Sequence, residues 1–138
     1  MIDSLFFRTV GRFLFPAIWI FSAFLFFRGH NAPGGGFIAG LLAAVSFAVI
    51  ALSAGKPTLI RVYRLKTFTL IRWGLLIAAS SGFIGLFTSN AFFKGVWADL
   101  YIPLLGNVYV GTPVMFDLGV FLVVLGIGVN FILLLMED

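Results

Sequence analysis

Gly29-His30-Asn31-Ala32-Pro33-Gly34-Gly35-Gly36-Phe37 stands between two long apolar runs, and its reading decides the fold. Glycine accepts positive φ and close backbone approach, and proline fixes φ and lacks a donor. Asn31 can bond back onto its own backbone and start a turn. The segment is a shaped connection between two helices. At membrane depth such irregular backbone persists only where protein or a water-filled cavity surrounds it.

The flanking runs set the solvent. Of 138 residues, 62% are hydrophobic and 10% charged, and the mean hydropathy is +1.16. Soluble domains carry about 25% charged residues, so this surface needs lipid or other membrane subunits to cover it. With no cysteine in the chain, disulfides, thiolate metal sites and cysteine nucleophiles are excluded. The net charge of +4 comes from basic residues clustered between apolar runs, a pattern of membrane topology and not of nucleic-acid binding.

Working outward from the turn, the expected fold is all-α: one domain, 1–138, of four transmembrane helices. The spans are expected at about 8–28, 34–55, 70–92 and 113–136. The first run lacks a small-residue cleavage site and leads straight into the turn, so it is expected to be retained as a helix. Pro16 is placed in its first turns, where a missing hydrogen bond costs least. Lys56 to Arg72 holds five of the nine basic residues. It is expected to be a positive-inside loop, a reading preferred to a lipid-recognition patch. Arg8 and Arg12 add two charges on the same side, leaving Arg28 and Lys94 for the other, which puts both termini in the cytoplasm. Lys94 to Gly111, with Trp97, Tyr101 and Tyr109, reads as an external interfacial loop with room for a short surface helix.

Small residues recur at helical spacing within the spans. Gly36 and Gly40 form a small-xxx-small pair, on a face shared with Ala43, Phe47, Ala51 and Ala54. Gly74, Ala78, Ser81, Gly85 and Thr88 make a narrow seam on the third span. On the last, which starts with Thr112 as N-cap and Pro113 at N1, Gly119, Gly126 and Asn130 share one face. Asp117 and Gly128 point the opposite way, so this helix should have two different neighbours. The expected helix-packing positions are Gly34, Gly35, Gly36, Gly40, Gly74, Ser81, Gly85, Gly119 and Gly126.

Chemistry-bearing residues are few. Asp117 is the only acid well inside an apolar run and His30 the only histidine. An intramembrane carboxylate is a functional candidate by default, although a site near a helix start also favours it electrostatically. The glycine run lacks the Gly-Lys-Ser/Thr ending of a phosphate loop. No nucleophile triad, metal-ligand cluster or carboxylate pair can be assembled, so neither enzyme, metal nor cofactor is expected.

Two motifs carry a resemblance. Residues 29–40, Gly-His-Asn-Ala-Pro-Gly-Gly-Gly-Phe-Ile-Ala-Gly, and 111–126, Gly-Thr-Pro-Val-Met-Phe-Asp-Leu-Gly-Val-Phe-Leu-Val-Val-Leu-Gly, resemble the B-type subunit (MnhB/MrpB-like family) of the multisubunit Na⁺/H⁺ antiporters of the Mrp or Mnh type. Length, four spans and a basic central loop agree. Phe121 departs from the tyrosine expected there. The resemblance implies a non-catalytic but required subunit in a prokaryotic plasma membrane, partnered by other antiporter subunits and by lipid, with Na⁺ and H⁺ as transported ions. It would support assembly and line a stretch of cation path near Pro33, Phe37 and Asp117; His30, from its own chemistry, is a further candidate for ion coupling. Alternatives are a membrane-arm subunit of a related energy-converting hydrogenase and a self-sufficient homodimeric carrier.

Overall fold

The computed structural model of the protein describes residues 5–28, 35–64, 66–89, 97–102 and 106–137. Five helices and one hairpin follow in order: α1 (Leu5–Arg28), α2 (Gly35–Ala54), α3 (Lys56–Val62), α4 (Thr67–Ser89), β1 (Trp97–Ile102), β2 (Gly106–Gly111) and α5 (Thr112–Leu135). Four of the helices, α1, α2, α4 and α5, are long and apolar enough to cross a membrane. At 1.5 Å per residue, the 24 residues of α1 rise about 36 Å, more than the ~30 Å hydrocarbon thickness.

The helices form a row. α1 packs on α2, α2 on α5, and α5 on α4, so α1 and α4 stand at the two ends. Contacts fix the directions. Gly11 lies against Ser53 and Ser22 against Ala39, so α1 and α2 are antiparallel. Gly36 meets Asp117 and Ala44 meets Gly128, so α2 and α5 run parallel; Gly74 meets Gly119 and Thr67 meets Gly126, so α4 and α5 are antiparallel. The core follows α2, with Ala39, Ala43, Ala44, Phe47, Ile50 and Ala51 buried beside Leu125 and Val129 of α5. Large apolar side chains face outward on all four long helices, including Phe13, Leu52, Phe87 and Phe131.

The basic segment is not one loop. Gly55 turns the chain at φ 85, a left-handed value that glycine adopts without steric cost, and Pro57 opens α3 where its missing donor is harmless. α3 then folds back on α2, burying Leu59 and setting the Tyr63 ring edge-on to Phe47 at 5.2 Å. α4 already begins at Thr67, so Arg72 belongs to a helix.

Two further expectations change. α1 starts at Leu5, which places Pro16 in mid-helix, where its ring replaces the N–H that would donate to the Arg12 carbonyl. The connection before α5 holds an antiparallel hairpin instead of a surface helix, with Trp97 paired to Gly111 and Ile102 to Gly106. Its arms are rich in β-branched and aromatic residues and flank Pro103, a composition that favours pleated over helical backbone.

Candidate functional site

The site begins where α2 enters, beside the first turns of α5. A Cβ built on Gly36 would collide with the main chain of Asp117, 2.8 Å from its carbonyl carbon. One turn on, a Cβ on Gly40 would sit 2.9 Å from Val124 Cβ and 3.0 Å from the Phe121 carbonyl oxygen. After another turn, Ala44 is met by Gly128, whose added Cβ would come within 2.6 Å of the alanine Cβ. A small residue every fourth position lets two backbones touch, and dispersion replaces the hydrophobic drive that lipid does not provide.

The opposite face of α5 belongs to α4. A Cβ on Gly119 would lie 2.7 Å from Ala78 N, and one on Gly74 would lie 2.7 Å from the Gly119 carbonyl oxygen. Gly126 faces Ile71 and the Thr67 carbonyl, and the Thr67 hydroxyl donates a long hydrogen bond of 3.5 Å to Asn130 Oδ1. The two faces of this helix thus meet two different neighbours. Ser81 is buried, but its hydroxyl donates to the Ala78 carbonyl of its own helix at 2.6 Å, so it contributes no free polar group to the seam.

Of the candidate ion-path residues, Asp117 and Phe37 fall among the described residues. Asp117 is half-buried in the second turn of α5 and its backbone forms the contact with Gly36. Phe37 is 50% exposed, on the outward side of α2. His30, Pro33 and Gly34 lie outside the described residues. Gly35 is buried at the start of α2, and Gly85 lies in the final turns of α4.

Other residues emerge only from the packing. Rings of Phe15, Trp19, Phe47, Tyr63, Phe26 and Phe121 touch in series at 5.2–6.3 Å, tying α1, α2, α3 and α5 together. Ser22, fully buried, donates to the Ala39 carbonyl at 2.7 Å across the α1–α2 contact. The buried Trp19 Nε1 and Tyr63 hydroxyl have no hydrogen-bond partner among the described residues. Burial pushes the Tyr63 phenol up to about 12. In an aromatic-rich sequence nothing marks these rings apart from other lipid-facing phenylalanines. For Ser22 the only signal was a hydroxyl inside an apolar run.

Four apolar helices in a row, held by glycine contacts and clad outside in apolar side chains, define a multi-pass membrane protein. Among the described residues no group of His, Cys, Asp and Glu could hold a metal ion. Comparison with known proteins shows its family. Residues 6–130 match the family model described as a domain related to the MnhB subunit of Na⁺/H⁺ antiporter, and the chain belongs to that family. It is 37% identical over 131 residues to the Na⁺/H⁺ antiporter B subunit of Alkalihalophilus pseudofirmus, covering 95% of this chain and 91% of the relative. Identity to the B subunit of the Bacillus subtilis Na⁺/H⁺ antiporter is 34% over 137 residues, covering 99% and 95%. A probable K⁺/H⁺ antiporter A/B subunit of Rhizobium meliloti matches at 33% identity across 86% of this chain but only 12% of its own length. In the solved structure of the Mrp complex from Dietzia sp., one chain matches with a TM-score of 0.82 and 35% identity. That match covers 97% of this chain and spans 14% of the larger one.

Proposed function

We propose that this chain works as the B-type subunit of a multisubunit monovalent-cation/H⁺ antiporter in a prokaryotic plasma membrane. One observation carries the reading. The same four-span unit is a separate subunit in two relatives and a small part of a much longer polypeptide in two others. A unit that can be joined covalently to a larger chain works beside that chain. The spans agree with a supporting role: no lysine or glutamate lies within α2 or within the apolar run 73–93, so the chain lacks the series of intramembrane groups that a lone proton carrier needs. The subunit supplies helices that hold the assembly together, and the proton-carrying machinery belongs to its partners. Expression with the remaining subunits in antiporter-deficient cells should restore Na⁺ tolerance, and expression of this chain alone should not. Restoration by the chain alone would favour a self-sufficient carrier.

Within that role, Asp117 is the coupling candidate, with Phe37 in the first turn of α2 and Pro33 and His30 just before it in the sequence. Asp117→Asn removes the charge and retains the shape. It should leave assembly intact while lowering exchange or shifting its pH dependence in membrane vesicles. Unchanged exchange at every pH would reduce Asp117 to an acid favoured by its helix start.

A further inference from the structure

Between α3 and α4 the chain forms the wall of a basic recess. Arg64, Lys66 and Arg72 line a cavity of about 650 Å³ there. Arg64 Nε donates a long hydrogen bond of 3.4 Å to the Arg61 carbonyl, leaving the other N–H groups of its fork. Among the described residues no carboxylate lines the recess, and none is paired with these three cations. Another basic recess, of about 510 Å³, lies where Arg8 and Arg12 of α1 and Arg61 of α3 meet the end of α2. It differs in that Arg8 already has a partner. The larger recess also takes in the start of a helix. The Leu70 amide donates to the Lys66 carbonyl at 3.1 Å. Thr67, Phe68 and Thr69, whose amides precede that bond, all line the recess, and this first turn of α4 contains no acid. The positive end of the helix adds to the three side-chain charges and favours an anion.

Position and walls describe the anion. The span of α4 starts at Thr67, so the cations stand where acyl chains give way to headgroups. Arg72, in the second turn of α4, can run its apolar stem back to that level. Ile60 and Phe68 line the recess yet are 54% and 64% exposed, an apolar rim that suits acyl chains and does nothing for a free phosphate. Membrane topology requires these charges on one side of the bilayer; it does not require them to surround a recess. Guanidinium forks take phosphate oxygens in pairs, and basic recesses between membrane helices suit anionic headgroups. We propose that this recess binds the phosphate headgroup of an anionic phospholipid, with Arg64 and Arg72 holding its oxygens.

The other basic recess supplies the control. The full chain is placed in phosphatidylcholine nanodiscs containing increasing phosphatidylglycerol, and the lipid it retains on release is counted by native mass spectrometry. The wild type should keep one phosphatidylglycerol in preference to phosphatidylcholine. Each basic side chain near an anionic surface is worth about fivefold in affinity, so Arg64→Gln with Arg72→Gln should weaken retention about 25-fold. Arg12→Gln with Arg61→Gln removes equal charge at the same end of the molecule and should change retention by less than about twofold. Arg64→Lys with Arg72→Lys keeps the charge but loses the fork, and should fall between wild type and the first glutamine pair. Equal losses for the two glutamine pairs would mean general attraction to a positive face and overturn the site. Wild-type retention by the lysine pair would overturn the guanidinium assignment. Displacement by glycerophosphate as effective as by whole lipid would mark a free-phosphate site and overturn the lipid. The complex purified with its partner subunits should keep the same lipid, dependent on Arg64 and Arg72. Its loss on assembly would give the recess to an acidic partner segment and overturn the lipid as occupant.

Discussion

Gly36 shows how one missing methyl can decide a helix contact. The group nearest its absent Cβ is the Asp117 main chain, which has no flexible end to move aside. Gly36→Ala should therefore push α2 from α5 at the start of their contact. Overpacking of this kind costs about 1–3 kcal/mol, readable as a lower melting temperature in micelles. Gly126→Ala first meets Ile71 Cγ1 at 2.9 Å and the Thr67 carbonyl only at 3.2 Å, a looser fit than at Gly36, and should cost less. The reverse order would show that the α2–α5 backbone contact is not the tighter constraint. Tyr63 illustrates the opposite case, a polar group that the fold would do better without. Its buried hydroxyl lacks a partner among the described residues, a situation that costs about 1–3 kcal/mol. Tyr63→Phe should leave melting unchanged or raise it. Because the phenol is pushed from 10.0 to about 12, the folded protein holds the proton more tightly than the unfolded chain. The resulting stability is complete below pH 10 and is lost as pH rises through 12. Melting measured from about pH 9 to 12 should show that loss in the wild type and not in Tyr63→Phe.

At the scale of elements, the entry to α2 is where the proposed transport role can be separated from packing. Pro33 stands just before α2 in the sequence, and a proline disfavours helical backbone at the residue preceding it. Phe37 follows with half its surface exposed, available to a neighbouring subunit while Gly36 and Gly40 keep the other side against α5. Loss of a core phenylalanine costs ~3–5 kcal/mol, and a half-exposed ring in contact with lipid should cost well below that. Pro33→Gly and Phe37→Ala should therefore impair Na⁺/H⁺ exchange more than they reduce the assembled complex. Dye-monitored antiport in vesicles, normalised to complex abundance on native gels, makes the comparison. Activity falling only in step with abundance would leave the entry as an assembly element. α3 is a second case of an element that does two things. Its arginine is one of the topology-setting charges, and the fold turns it toward a recess shared with α1.

The whole molecule has distinct ends. The start of α1, the end of α2, α3, the start of α4 and the end of α5 lie together, as the Gly11–Ser53 and Thr67–Asn130 contacts and the recess lined by Arg64 and Leu133 require. The hairpin connects α4 and α5 at the other end. Arg8, Arg12, Lys56, Arg61, Arg64, Lys66 and Arg72 all fall on the first side, and the positive-inside bias makes the cytoplasm the expected location of that side. Since the chain has no cysteine of its own, Arg64→Cys and Asn107→Cys can be labelled singly by an impermeant thiol reagent in whole cells. Position 107 should react and position 64 should not. The opposite pattern would invert the orientation. The row also leaves apolar faces on all four long helices for lipid and partner subunits to cover.

What the sequence determined by itself was whatever depends on local composition and period. Uncharged runs of sufficient length must be helices in lipid, because no other open segment satisfies its own backbone there. The 3.6-residue period placed Gly119 with Gly126 and Asp117 with Gly128 on opposite sides of α5, and these sides meet α4 and α2 respectively. Local reasoning failed where an element's start depended on distant packing. α3 forms because Leu59 and Tyr63 can bury against α2, and Pro16 became an interior residue because α1 extends back to Leu5. The order of the row, with α5 between α2 and α4, was not written in any single segment. It follows from which small-residue faces fit each other, a pairwise property of surfaces far apart in the chain. The same holds for the recess of Arg8, Arg12 and Arg61: the sequence shows their charge, but only tertiary packing makes them neighbours.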